Sequence, residues 1–525
     1  MKPRQKLILV ILGAILFNAI FWNEKLALNS LFFDIFILWS VFYLYPSALR
    51  LPVMKWLLAA HIITLAAVLF HNTVLSKLAF CSTLMLVVVF TQHAHRSVWY
   101  AAGSALMNYL TAPASFRNSF KQLRRNEFSL KGARKSLRML VIPVILLLLF
   151  SLLYRFANQV FDEFINDSLL AIGNFFERAF SWFSWDRFGF WIIGLFVTCG
   201  LLLKSSINWF STTDHQKTDI LRRKRNDLIA WKKTGWYDLL VIFIGKVASG
   251  VMALRNENRT GIISLVLLNI LLLAINTIDI VYVWFGFSRN SSTNFSESVH
   301  EGTGLLIFSI LLAMMLLLFF FRGNLNFYKK NKWLRYGAYA WLLQNALLVI
   351  SVLLRDYYYI AHDGLAYKRI GVLIFLSLVL AGLITVFAKI HNLKTTYYLL
   401  RVNAWFAVVM LVVCSCINWD ELIAKYNLAR KDTIALDVKF LLTLSDKALP
   451  LLQENIGVLQ HPAPVSGGEG ESLYRSSLSP MEVFENRKKE FAGEQARYSW
   501  LSWNMADESV KRKLTTLAHT SLITK

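Results

Sequence analysis

Polar side chains recur at helical spacing inside two long apolar stretches of the chain, 260–285 and 336–354. Each set of polar residues falls on a single helix face. The first set is Asn269, Asn276 and Asp279, and the second, which runs just past its stretch, is Gln344, Ser351 and Arg355. A charge within the hydrocarbon core costs a few kcal/mol, so such groups usually face a partner or a cavity.

Two interpretations of these polar faces stay open. They could hold helices together through interhelix hydrogen bonds, each contributing about 0.6 kcal/mol. They could instead line a polar cavity that opens to the outside. Asp279 and Arg355 fall near the same predicted membrane surface, so we expect them to be able to pair.

A second group of residues with chemical potential lies near the predicted outer surface. It consists of His300, Glu301, Asp356, His362 and Asp363. Two imidazoles and three carboxylates could bind zinc or perform acid–base chemistry. No spacing within the group is diagnostic, and solvated loop residues or helix caps explain it as well. We therefore assign no catalytic residue, metal or cofactor. His93 and His95 are two apart and are expected to diverge on a helix.

The composition explains what positions these residues. The 525 residues are 56% hydrophobic and 17% charged, whereas soluble domains are about 25% charged. A membrane span needs about 20 apolar residues. About eleven such runs occur, which predicts an all-α polytopic helical membrane bundle over residues 1–418. The runs are 7–22, 26–45, 56–75, 78–92, 139–156, 188–203, 260–285, 302–321, 336–354, 370–390 and 402–418.

Lysine and arginine are concentrated before the first span and in the even-numbered connections, including 94–137 and 204–259. Basic loops stay on the cytoplasmic side, so the N-terminus is predicted to be cytoplasmic and the loops 286–301 and 355–369 external. The net charge of +24 is explained by these loops, which could also contact anionic lipid headgroups. No nucleic-acid motif accompanies the charge. The expected location is the inner (cytoplasmic) membrane.

Three further segments receive separate predictions. Residues 160–183 have the pattern of an amphipathic helix on the outer surface, and 236–254 that of an interfacial or re-entrant segment. Residues 419–525 form a water-exposed helical tail with a flexible linker near 462–472. With an odd number of spans the tail is external. It is too small for a rich core of its own, so we expect it to dock on the membrane domain.

Several short motifs resemble a bacterial multi-pass membrane family. They include Val299-His300-Glu301-Gly302, Phe321-Arg322-Gly323-Asn324-Leu325-Asn326-Phe327, Gly364-Leu365-Ala366-Tyr367-Lys368-Arg369, Leu400-Arg401-Val402-Asn403-Ala404-Trp405 and Asn418-Trp419-Asp420. The family is catalogued as domain of unknown function 4173, with 4153 as a related group. The resemblance is best from about residue 255 to 450, and the first 250 residues look alike mainly in hydropathy. It implies a bacterial inner-membrane setting and no particular reaction.

The resemblance directs attention to a set of positions. These are Glu301, Arg322, Asn324, Asn326, Tyr367, Lys368, Arg369, Arg401, Asn403, Asn418 and Asp420. The favoured function is a non-enzymatic protein that binds, senses or assembles a component of the envelope. The alternative is a secondary transporter or lipid-handling protein that uses the polar faces. The second alternative is a membrane-embedded enzyme that uses the outer-face cluster. The sequence specifies no oligomeric state.

Overall fold

The computed structural model describes residues 3–127, 184–222, 253–285, 295–321, 324–434, 436–460 and 478–523, with scattered positions between 143 and 151. Its helices are α1 (Pro3–Phe21), α2 (Leu28–Leu44), α3 (Pro52–Phe70), α4 (Val74–Gln92), α5 (Val98–Glu127), α6 (Trp185–Leu202), α7 (Trp209–Gln216), α8 (Ala253–Asp279), α9 (Phe295–Phe320), α10 (Lys332–Asp363), α11 (Tyr367–His391), α12 (Thr396–Ser415), α13 (Trp419–Leu428), α14 (Val438–Leu441), α15 (Leu449–Glu454), α16 (Ile456–Gln460), α17 (Pro480–Arg497) and α18 (Met505–Ile523). A π-helical turn, Ile280–Trp284, continues α8. Short 3-10 turns occupy Pro46–Arg50, Asn324–Phe327, Asp446–Ala448 and Trp500–Ser502.

Within these described ranges, eight helices are long and apolar enough to span a bilayer. They are α1, α3, α4, α6, α8 with its π-turn, α10, α11 and α12. Two shorter apolar helices, α2 and the Gly304–Phe320 part of α9, accompany them. The described chain is therefore an all-α polytopic bundle. The predicted span 139–156, the segments 160–183 and 236–254, and the linker 462–472 lie wholly or largely outside the described residues.

The first group of packed helices contains α1–α4 and α6, with a core that includes Val10, Ile37, Val68, Val88 and Leu202. Helices α1 and α6 run antiparallel, because Thr198 contacts the Val10 carbonyl whereas Arg187 contacts Asn18 near the other end of α1. Gly13 of α1 and Gly194 of α6 allow this close packing, because a Cβ atom on either would lie less than 3 Å from a side chain of the other helix. The start of α1 and the end of α6 therefore share one end of the bundle.

The second group contains α8–α11, with a core that includes Leu265, Ile310, Leu334, Leu348 and Leu376. Helix α12 contacts α11 on one side and α3, α4 and α5 on the other. Its Asn403 donates to the Thr385 hydroxyl of α11 over 2.9 Å, and its Trp405 ring lies 5.6 Å from the Phe90 ring of α4. Helix α12 therefore joins the two groups.

The 30-residue helix α5 occupies most of the segment 94–137, which was predicted to be a connecting loop. It contacts α1, α4, α6, α7 and α12. Its buried face consists of small residues at helical spacing, namely Ala101, Ser104, Ala105, Asn108 and Ala112. Such a face adds little hydropathy, and this explains why the apolar pattern did not reveal the helix. The name basic end is used below for the part of the bundle formed by residues 93–97, 203–222 and 392–395.

Helix α10 continues nine residues beyond the predicted end of its span. Residues 355–363, assigned to an outer loop from the sequence, form its last turns because no helix breaker occurs before Gly364. Gly364 has φ +83°, a left-handed conformation that glycine adopts without strain. Arg355, Asp356, His362 and Asp363 therefore have helical positions.

The tail, residues 416–460 and 478–523, is called the cap below. Its buried residues form one core with the adjoining ends of α10 and α11, including Ile360, Leu365 and Ile370. Asn427 of the cap accepts from the Leu365 amide over 2.6 Å and donates to the Leu365 carbonyl over 2.9 Å. On the first helix group, the Leu28 amide donates to the Trp503 carbonyl over 3.2 Å. The cap therefore contacts both groups, at the end opposite the basic end.

Glycine packing on α6 yields a matched stability test. A Cβ atom on Gly200 would lie 2.3 Å from the Tyr109 ring of α5, whereas a Cβ on Gly189 of the same helix meets nothing within 4 Å. We expect Gly200→Ala to lower the free energy of unfolding by about 1–3 kcal/mol through overpacking. Gly189→Ala should be neutral or mildly stabilising. Denaturant unfolding in detergent measures both, and equal stability of the two variants would contradict the packing.

Candidate functional site

The polar face of α8 meets the polar face of α10 along one seam. Asn269 donates to the Gly337 carbonyl over 3.0 Å and accepts from Gln344 over 2.9 Å. Asn276 donates to the Gln344 carbonyl over 3.1 Å. One turn beyond Asp279, the indole of Trp284 donates to Ser351 over 3.0 Å. These contacts are the interhelix hydrogen bonds expected if the polar faces hold the two helices together.

Arg355 Nη2 donates to Asp279 Oδ1 at the cap side of this seam. The pairing that the sequence left open is therefore present. The side chains are 19% and 6% exposed, so the pair lies largely away from water. Among the described atoms, Asp279 Oδ2, Arg355 Nε, Asn276 Oδ1 and Gln344 Oε1 are buried and make no hydrogen bond. The seam thus keeps buried polar atoms that the contacts between the helices do not satisfy.

The outer-face cluster is only partly described. His362 Nδ1 lies 3.0 Å from Asp363 Oδ1, its neighbour in the chain, and the His362 ring is largely exposed. Asp356 is buried one to two turns earlier on α10. The side chains of His300 and Glu301 lie outside the described residues. Across the described side chains, no group of three potential metal ligands occurs. The proposed outer-face site stays a prediction.

Most of the family-resembling positions that are described make contacts within the fold. The Arg369 guanidinium donates to the carbonyls of Asp363 and Gly364 and lies 4.0 Å from the Tyr359 ring centroid, so it stabilises the end of α10. The others contact as follows: Asn326 the Phe321 carbonyl, Tyr367 the Phe440 ring, Arg401 Asp219, Asn403 Thr385, Asn418 the Glu421 amide, and Asp420 Ser445. Lys368 begins α11. Arg322 and the Asn324 side chain lie outside the described residues.

A buried carboxylate that the sequence analysis did not single out organises the basic end. Asp214 of α7 accepts from the amides of Arg96 and Ser97 over 2.7 and 3.2 Å and from the Tyr397 hydroxyl over 2.5 Å. His95 Nδ1 lies 3.1 Å from Asp214. Burial alone raises the pKa of Asp214, but these hydrogen bonds outweigh burial and lower the pKa to about 2.

The ionised Asp214 determines which ring nitrogen of His95 carries a proton. A carboxylate only accepts, so Nδ1 of His95 carries the proton, and its Nε2 can accept from the Ser104 hydroxyl at 2.9 Å. His93 follows α4 in extended conformation rather than within a helix, and its ring lies 5.6 Å from that of His95. The expected helical divergence of these histidines was therefore wrong. Burial, aided by Lys204 and His95, lowers the pKa of His93 to about 4, so it is neutral at pH 7.

An acidic residue nearby extends this network to the second helix group. Asp219 accepts from Arg96 over 3.0 Å and from Arg401 of α12 over 2.8 Å. The backbone around Asp219 also pairs with residues 393–395, through the bridge between Ile220 and Lys394. Ion pairs and backbone hydrogen bonds therefore hold three parts of the basic end together: the segment before α5, the segment after α7, and α12.

A second buried network lies within the spanning helices. His61 of α3 contacts Asp34 of α2 over 2.8 Å through Nε2, and Thr83 of α4 over 2.9 Å through Nδ1. Thr64 and Thr83 share a further bond of 2.8 Å. Asp34 and His61 are ionisable residues within the predicted spans 26–45 and 56–75, a signal that could have identified them. Their exposure is 3% or less, so this network is sealed from solvent.

An open cleft lies between the cap and the end of α3. Its volume is about 240 Å³, and its charged and imidazole-bearing residues are His71, Glu421, Lys447 and Lys513. The remaining lining is mainly apolar, with Phe70, Pro450, Met505 and Val510. Asn418 donates to Glu421 over 3.0 Å, which orients the carboxylate. The cleft combines both signs of charge with an apolar wall.

The apolar spanning helices, the buried bonds between them and the attached cap define a polytopic α-helical membrane protein. Residues 33–455 match the family described as a domain of unknown function, DUF4153, and the chain belongs to that family. The match begins in α2 and ends in the cap, so it includes the N-terminal helices where the sequence resemblance was mainly in hydropathy. No curated protein and no solved structure matches the chain.

The Asp279–Arg355 pair can be tested with a double-mutant cycle. Replacing either residue by Leu leaves the other charge poorly matched in a largely buried site. The two single losses of stability should therefore add up to more than the loss in the double variant. We expect a coupling energy of about 1–3 kcal/mol in detergent unfolding. The neutral pair Asn269 and Gln344, treated alike, should couple by only about 0.6 kcal/mol. Additive losses at Asp279 and Arg355 would contradict their pairing.

The Asp214 network predicts a pH-dependent stability. Because the pKa is depressed from 3.8 to about 2, its contribution is present above pH 4 and lost as the pH falls towards 2. Asp214→Asn should lower the free energy of unfolding by about 2 kcal/mol at pH 7, and the difference from the parent should narrow between pH 4 and pH 2. The exposed Asp186→Asn is the control. A difference that does not change with pH would show that ionisation of Asp214 contributes nothing.

Proposed function

We propose that this chain is a non-enzymatic membrane protein that binds a component of the cell envelope, with the cap as its contact surface. The attachment of the cap to both helix groups carries the proposal. Lys25 of the α1–α2 connection donates to Glu494 over 2.7 Å, and Asn427 bonds to Leu365 at the other group. A contact made by the cap would therefore bear on the packing of the whole bundle.

The cap also presents large apolar side chains. Trp500, Trp503 and Met505 are 66%, 46% and 50% exposed. Aromatic residues of this kind are typical both of membrane–water interfaces and of protein contacts. The intramembrane polar residues, in contrast, are mostly engaged with one another. This division of roles favours a surface contact over a passage through the bundle.

We further propose that the N-terminus lies in the cytoplasm and that the cap lies on the opposite side of the inner membrane. The basic connections support the cytoplasmic assignment. The cap contacts Lys25 and Leu28, beyond the end of α1, so it lies across the bundle from the N-terminus. This argument does not depend on the number of spans. The basic loops would then face anionic headgroups of the cytoplasmic leaflet.

A secondary transporter or lipid-handling protein is the second candidate. The buried atoms without hydrogen bonds along the seam, such as Asp279 Oδ2 and Arg355 Nε, favour it. Polar atoms of this kind could serve a transported polar group. Under this alternative the seam, rather than the cap surface, carries the function.

Complementation separates the two functions in cells that lack the chain and show a growth or envelope defect. We expect Trp500→Ala with Trp503→Ala to abolish rescue, because the contact surface is lost. The exposed Trp333→Ala on α10 is the matched control and should rescue. The double variant Asp279→Leu with Arg355→Leu should also rescue if it accumulates normally. Loss of rescue by this seam variant, with rescue by the cap variant, would favour transport instead.

The side of the cap is measured in the same cells. With the native cysteines replaced by alanine, Lys489→Cys on α17 should react with an impermeant maleimide in cells whose outer barrier is opened. Gln216→Cys at the basic end should react only after the inner membrane is permeabilised. The reverse pattern would overturn the proposed orientation.

A further inference from the structure

The cleft between α3 and the cap opens where the apolar α3 helix ends, and lipid headgroups lie at the ends of membrane spans. Phe70 is the last residue of the α3 span and lines the cleft, as does Met505 at the start of α18. The Trp500 ring packs edge-on against Phe32, one turn inside α2, at a centroid distance of 5.9 Å. Trp500, which is largely exposed, therefore lies beside the outer turn of an apolar helix. Trp at such positions marks the membrane–water interface.

The charges of the cleft suit a ligand that carries both signs. Lys447 and Lys513 supply two ammonium groups, and Glu421 supplies a carboxylate held by Asn418. Lys447 lies 3.8 Å from Asp507, so part of its charge is already compensated. A purely anionic group would gain from the lysines and be opposed by Glu421. A phosphate that carries an amine finds a partner for each charge.

The size and apolar wall of the cleft indicate which part of a lipid would enter. Its volume of about 240 Å³ is below the roughly 300–1,000 Å³ of pockets that enclose drug-sized ligands. A headgroup is small enough for this space. Phe70, Met505 and Val510 would contact the glycerol region. The acyl chains would then follow the exposed surface of α3, where Ile62 and Ile63 are 61% and 45% exposed.

We propose that this cleft binds the headgroup of an amine-bearing phospholipid such as phosphatidylethanolamine. Lys447 and Lys513 contact its phosphate, and Glu421 contacts its ammonium group. The inference deepens the proposed function, since it names a ligand class for the cap surface. The bound lipid connects the cap to the end of α3 and thereby reinforces the attachment of the cap to the first helix group.

Native mass spectrometry of the purified full chain tests this proposal with phosphatidylethanolamine and phosphatidylglycerol of identical acyl chains. We expect the parent chain to retain the ethanolamine lipid more strongly. Glu421→Gln keeps an acceptor for Asn418 but removes the negative charge, so it should weaken that lipid about two- to five-fold and strengthen the glycerol lipid. The preference between the two lipids should therefore shift towards the glycerol lipid.

Lys513→Gln should weaken both lipids, because both carry a phosphate. Lys511→Gln, an exposed lysine of α18 outside the cleft lining, is the matched control and should change neither. Unchanged binding in both Glu421→Gln and Lys513→Gln, or a parent preference for phosphatidylglycerol, would overturn the proposal. Its failure alongside cap-dependent rescue in cells would leave the proposed function standing with a different ligand.

Discussion

A polar group within hydrocarbon has no water to bond, so its partner has to come from the protein. This constraint explains which helices are neighbours in the bundle. Asp34 and His61 connect α2 to α3, and Thr83 extends the contact to α4. Asp279 with Arg355 connects α8 to α10. Apolar packing alone discriminates weakly between helix faces in lipid, because the tails are as apolar as leucine. The few polar residues therefore determine the pairing.

A similar requirement operates at the basic end, where Asp214 is buried by the protein itself. Asp214 receives bonds from the 95–97 segment and from Tyr397 of α12, so one carboxylate holds this segment against the helix that joins the two groups. Asp219 repeats this arrangement with Arg96 and Arg401. Each of these acidic residues has several donors, which offsets the cost of burying its charge. The geometry of α12 thus depends on two carboxylates from the segment after α6.

The sequence predicted the long apolar helices and placed Asp279 and Arg355 where they could pair, because both inferences depend on short-range periodicity and on counting spans. It did not predict α5, whose buried face is built from alanine and serine. It missed the His95–Asp214 contact because 119 residues separate the partners and His95 lies outside a helix. Asp34 and His61 were visible as isolated ionisable residues in apolar runs. Their pairing required the arrangement of helices, which periodicity does not contain.

The cap and the helix bundle depend on each other for their packing. Its core is completed by Ile360, Leu365 and Ile370, which belong to α10, α11 and their connection. Removing those ends would expose much of the cap core to water, and removing the cap would expose the same apolar ends. The two hydrogen bonds between Asn427 and Leu365 fix the register of this contact. Because the cap also bonds to Lys25 and Leu28, a ligand that stabilises its position would favour one arrangement of the two helix groups over others.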